Sequence, residues 1–167
     1  MFEINKMIMK SQHYVILRGK KIFSKRGKLD LSNKNIHRLS EIKGLERLRV
    51  ESLDLSKNFL HEVVFPRSLF VKVLLLGENK IRSISGLENL SSPEMIDLSQ
   101  NPIDRVDGFQ NMENLYTLYL EDTEISQETL EELGGVNKDG MAREPERFVT
   151  YCKERYGSEN SDFVGFL

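Results

Sequence analysis

Cysteine is almost missing from this chain. Cys152 stands alone among 167 residues, so no intrachain disulfide can form. Small secreted domains lean on such bridges, and their lack favours a reducing cytoplasm. Long apolar runs are missing too. Met1 to Leu17 is interrupted by Glu3, Lys6, Lys10 and His13, which leaves no stretch for a signal peptide. Nothing elsewhere approaches a membrane span. A glycine-rich phosphate loop, G-x-S-x-G, C-x-x-C and H-E-x-x-H are all absent, so the chain reads as a non-enzyme without cofactor. No motif sets a general base near Cys152, which reads as a core thiol. Acids are scarce in the first part: residues 1–50 hold 13 Lys/Arg and 4 Asp/Glu, a net of +9. Residues 51–167 hold 11 and 22, a net of −11, so the two ends should carry opposite potentials.

What is present is a recurring eight-residue phrase. It runs Leu53 to Leu60, Leu74 to Ile81 and Ile96 to Ile103, with further copies at Leu29 to Ile36 and Leu118 to Ile125. The starts are spaced by 24, 21, 22 and 22 residues. In each copy the first and third residues share one face of a short strand. One such strand cannot bury its leucines alone, and stacking the copies in a parallel sheet builds a continuous core. A second apolar series at threefold spacing follows: Ile42, Leu45, Leu48; Ile84, Leu87, Leu90; Val106, Phe109, Met112, Leu115. That spacing suits 3₁₀-like turns. Gly44, Gly86 and Gly108 each precede one of these residues, whereas Phe65-Pro66-Arg67 predicts an extended turn in the second copy. Asn58, Asn79 and Asn101 share one column and should satisfy backbone groups where each turn leaves the sheet. Lys34 and Thr123 take that place in the end copies.

The period and the L-x-L-x-x-N-x-I phrase are the signature of a leucine-rich-repeat solenoid. Residues 29–133 resemble the short, 22-residue class of cytosolic leucine-rich repeats. Relatives of that class include a phosphatase regulatory subunit, an axonemal dynein light chain and a spliceosomal leucine-rich protein. The resemblance implies an α/β right-handed solenoid with its parallel sheet on the concave face, and protein binding through that face. Secreted members usually carry several cap cysteines, which this chain lacks. One domain is expected: an N-terminal cap over 1–28, five repeats over 29–125, a helical C-terminal cap over 126–157 and a tail over 158–167. The cap should be a β-hairpin of Tyr14-Val15-Ile16-Leu17 and Lys21-Ile22-Phe23 joined by Arg18-Gly19-Lys20. Ser126 should cap a helix stapled by Ile125 and Leu130 and stopped by Gly134, before a loop over Gly135 to Gly140. A last helix should open near Pro145 with Phe148, Cys152 and Tyr156 inward.

The second, fourth and fifth places of each phrase form the face left open. Six of these fifteen residues are acids, Asp30, Asp54, Glu78, Asp97, Glu121 and Asp122, and only Lys57 is basic. A basic or donor-rich protein partner is therefore expected, anchored on Leu75 and Tyr119, with Phe59 as a further anchor unless it folds onto Pro66. The plain alternative is that Asp and Ser merely solvate the sheet. A second candidate is the basic run Arg18, Lys20, Lys21, Lys25, Arg26 and Lys28, for RNA or a phosphorylated ligand. A pI near 6.0 argues against nucleic acid as the main ligand. His37 and His61 should stack in one column, but Arg82 and Asp104 continue it, which is no metal-ligand set. The protein is expected to be a monomer.

Overall fold

The computed structural model describes residues 13–157. Tyr14–Leu17 (β1) and Lys20–Phe23 (β2) pair antiparallel. Their turn is Arg18-Gly19 alone, at φ 49° and 77°, so Lys20 belongs to the strand rather than to the turn. Two successive left-handed residues give a hairpin turn whose twist matches the strands. Lys28–Asp30 (β3) then opens the main sheet. Ile42–Lys43 (β4) pairs back onto β1, so the hairpin lies over the first connection and sends Val15 and Leu17 into the core.

Ser52–Asp54 (β5), Val73–Leu75 (β6), Met95–Asp97 (β7) and Thr117–Tyr119 (β8) follow. They form one parallel sheet in the order β3-β5-β6-β7-β8. The register puts Leu29, Leu53, Leu74, Ile96 and Leu118 in a single row, each at most 1% exposed. The pleat sends the middle residue of each three-residue strand inward and its neighbours outward. The result is a mixed α/β solenoid, and burying each leucine of the row contributes roughly 1.5–3 kcal/mol.

The connections return through Leu39–Glu41, Leu45–Arg47 and Leu87–Asn89, all 3₁₀ turns. Between β7 and β8 the turning is done by single bonds from the Met112 and Leu115 N–H groups to the Phe109 and Met112 carbonyls. Gly108 sits at φ 92°, and a Cβ there would collide with the Ile84 carbonyl oxygen, so both conformation and space demand glycine. Beneath the turns run the asparagines. Asn79 Nδ2 donates to the Leu55 and Leu76 carbonyls at 3.0 and 2.9 Å, and its Oδ1 accepts from Leu60 N–H at 3.0 Å. Asn58 and Asn101 repeat the pattern one coil to either side.

Past β8, Ser126 caps Gln127–Glu132 (α1), accepting from Thr129 N–H at 3.2 Å. The next segment is more than the expected loop. Met141 pairs antiparallel with Tyr119, and the Leu120 and Ala142 N–H groups donate to the Gly140 and Leu118 carbonyls at 2.8 Å. The free side of β8 is thereby covered, which removes an exposed sheet edge. Pro145–Tyr156 (α2) buries Phe148, Val149 and Cys152. Tyr156, expected inward, is 37% exposed. Steps of four residues overshoot a 3.6-residue turn by about 40° each, so two steps carry the side chain off the inner face. The apolar tail residues Phe163, Val164, Phe166 and Leu167 lie outside the described residues. Among the described residues no helix is long and apolar enough to cross a membrane.

Candidate functional site

The outward face of the parallel sheet carries more apolar surface than the phrase alone suggests. Leu75 is half-buried between Asp54 and Asp97, and Tyr119 is half-buried between Asp97 and Met141. Two residues back on the same strands stand Val73, Met95 and Thr117, also half-buried. Val73 and Met95 are direct cross-strand neighbours, and Met95 lies diagonal to Tyr119, within reach of a long or aromatic side chain. Val73, Leu75, Met95, Tyr119 and Met141 thus form one patch. Sequence reasoning found Leu75 and Tyr119 but missed the others. For Val73 and Met95 the signal was present, because strand alternation extends one residue upstream of L-x-L; for Met141 it was not. Beside the patch, Lys72 and Glu94 pair at 3.0 Å, and the Glu94 carboxylate holds the Lys72 ammonium above its usual range.

The aspartates of this face have an internal task. Asp30 Oδ1 accepts from Ser32 N–H and Oγ at 2.9 and 2.7 Å, and Asp54 Oδ1 from Ser56 N–H and Oγ at 2.9 and 2.6 Å. Asp97 Oδ1 accepts from Ser99 N–H at 2.9 Å. Each carboxylate closes the turn that ends its strand. The Ser32 hydroxyl and N–H hold the Asp30 carboxyl below its ordinary range. One oxygen of each Asp is spent on the fold, and the three carboxylates still give the face its charge. The fifth places, Asn33, Lys57, Glu78, Gln100 and Asp122, all adopt positive φ of 52–57°. Glu78 is exposed and lies 3.4 Å from the Lys57 ammonium, while Glu121 and Asp122 are exposed beyond β8.

The basic run does not stay on one surface. Arg18 turns to the first connection, where Nη2 donates to the Asn35 carbonyl at 2.7 Å and lies 3.7 Å from Glu41. Lys21 sits 4.7 Å from the Tyr14 ring centre on the hairpin, with Lys20 exposed beside it. Lys25 bridges to Lys28, which projects from β3 on the same outward face as Asp30, and Arg26 is exposed between them. Alternation around Leu29 forces Lys28 to that side.

A scan against protein-family models finds no match, and neither does a search of curated proteins.

The remaining candidates divide cleanly. The His37 ring stacks on Phe59, 5.1 Å between centres at 14°. Phe59 therefore leans across to the preceding coil. Among the described residues no three His, Cys, Asp or Glu side chains gather to hold a metal ion. Cys152 is fully buried, and burial pushes its thiol up to about 11, against the pull of a backbone hydrogen bond from Phe109. Almost no thiolate exists at neutral pH, so the group is a poor nucleophile. Nearby, Asp107 Oδ1 and Gln110 Oε1 are buried without a hydrogen-bond partner among the described residues. Burial raises the Asp107 carboxyl above its ordinary range, opposed by Arg105.

Proposed function

We propose that the protein is a non-enzymatic leucine-rich-repeat interaction module, a cytoplasmic adaptor or regulatory subunit that works as a monomer. Its five repeats would be closed by the hairpin at one end and by α1 and α2 at the other. The concave face binds another protein, in a segment that offers an apolar side chain beside basic ones. The observation that carries this reading is the patch Val73, Leu75, Met95, Tyr119 and Met141 set among Asp54, Asp97, Glu121 and Asp122. Repeats with Asp at the second place fold without a leucine or tyrosine there, so Leu75 and Tyr119 have no task in the sheet. Desolvating such anchors supplies binding energy, while the acids around them steer and orient a basic partner.

The test is capture of partners by the immobilised full chain, with nuclease present, followed by titration of the recovered protein. Leu75→Glu should abolish capture and leave the circular dichroism spectrum unchanged. Loss of capture on Lys20→Glu with Lys25→Glu, and not on Leu75→Glu, would move the site to the hairpin. The hairpin is the weaker alternative, since Arg18 turns to the first connection, Lys28 projects from β3, and Lys20 and Lys21 alternate to opposite faces of β2.

A further inference from the structure

The loops by which the second and third main strands leave the sheet enclose an open depression of about 350 Å³. Lys57, Phe59, Lys80 and Gln100 line it, with Asn58, Asn79 and Glu78. Its floor is rigid, because the buried Asn58 and Asn79 amides bind carbonyls of their own and the preceding coil. Phe59 is 40% exposed, with the His37 ring parallel against it. The corresponding residues of the other copies are Asn35, Lys80, Pro102 and Glu124, so an aromatic ring is not required there by the coil. Lys34, Lys57, Lys80 and Arg82 are all exposed on the same three coils. Glu78 pairs with Lys57 at 3.4 Å, and Glu62 is also exposed on these loops. Among the described residues neither Lys80 nor Arg82 makes an ion pair.

We infer that this ring-and-lysine surface, at the rim of the sheet face with which it shares Lys57 and Glu78, is a second binding site, and that its ligand is single-stranded nucleic acid. Flat bases stack on exposed aromatic rings whatever their sequence, and the phosphates between them seek lysine and arginine. A phosphorylated peptide would use the cations and leave the Phe59 ring idle. The footprint is short. Asp104, Asp122 and Glu124 are exposed on the following coils and repel phosphate. Three coils at roughly 4.8 Å spacing leave room for about two or three nucleotides.

The experiment is fluorescence anisotropy of labelled hexauridylate against the full chain at about 50 mM salt. Binding should saturate. Phe59→Ala, a half-exposed position, should weaken it about tenfold without moving the thermal unfolding midpoint. Lys80→Glu with Arg82→Glu should weaken it further and lower the salt slope by about 2. Tripolyphosphate and a phosphoserine peptide should compete poorly. The inference fails if hexauridylate does not saturate, or if Phe59→Ala binds like the parent protein. It fails equally if either competitor displaces the oligonucleotide as well as unlabelled hexauridylate does. Loss only in Lys20→Glu with Lys25→Glu would also overturn it.

Discussion

Two polar columns run the length of the sheet, and they differ in what they cost to break. Asn58, Asn79 and Asn101 are at most 3% exposed, and each amide binds carbonyls on two coils. Asp30, Asp54 and Asp97 stand on the outer side, and among the described residues each binds only the Ser two residues on. Each column recurs, in three of the five coils, because its side chain satisfies the same backbone groups wherever it stands. Recurrence therefore marks architecture. Leu75 and Tyr119, which break the aspartate column, and Phe59, which stands outside both columns on the loops, are the ones free to serve recognition.

Asn79→Ala should give the largest effect. It removes three buried bonds: the Leu55 and Leu76 carbonyls keep only Asn58 and Asn101, and the Leu60 N–H loses its acceptor, so it should cost about 3 kcal/mol in urea unfolding with an unchanged m-value. A loss below about 1 kcal/mol would erase the contrast between the columns. Tyr119→Ala comes next. It should cost about 2 kcal/mol in binding of the captured partner while the unfolding midpoint stays close to the parent's. A variant that binds normally would return the sheet face to a purely structural role. Asp54→Ala removes two exposed-side bonds and should cost about 1 kcal/mol in stability, well short of Asn79→Ala.

The smallest effects are pH-dependent and of opposite sign. The Asp30 carboxyl is held low in the fold, so its contribution is present above the ordinary Asp range and is lost as pH falls through the folded value. Asp30→Asn should flatten the acid limb of a stability–pH profile below about pH 4. The Asp107 carboxyl is raised by burial, so the folded state binds the proton more tightly than the unfolded one. Ionised Asp107 therefore costs stability above its raised value, and Asp107→Asn should raise the melting midpoint at pH 7. That gain should vanish in acid, where the parent residue is already neutral.

The repeated parts were the legible ones. The inward row, the asparagine column, the hairpin and the Ser126 cap all follow from local spacing and cap chemistry, so a single pass along the chain finds them. Tyr156 went astray because helical drift over eight residues depends on where the inner face ends. Met141 could not be assigned to the edge of β8, since nothing in Gly135 to Gly140 encodes which strand a later residue will meet.

By itself the sequence determined that five short strands share an apolar face and that the coils between them are nearly equal. Such a period is local, and each coil repeats the same bonds. Only the tertiary structure decided which residues become neighbours across coils: Val73 beside Met95, His37 on Phe59, Lys28 apart from Lys20. The first two of these join residues 22 positions apart in the chain, and the stacking register sets them through hydrogen bonds between whole strands. A surface assembled from several coils has no contiguous trace in the chain, so the full extent of the sheet-face patch, and the loop surface beside it, emerged only once the coils were stacked.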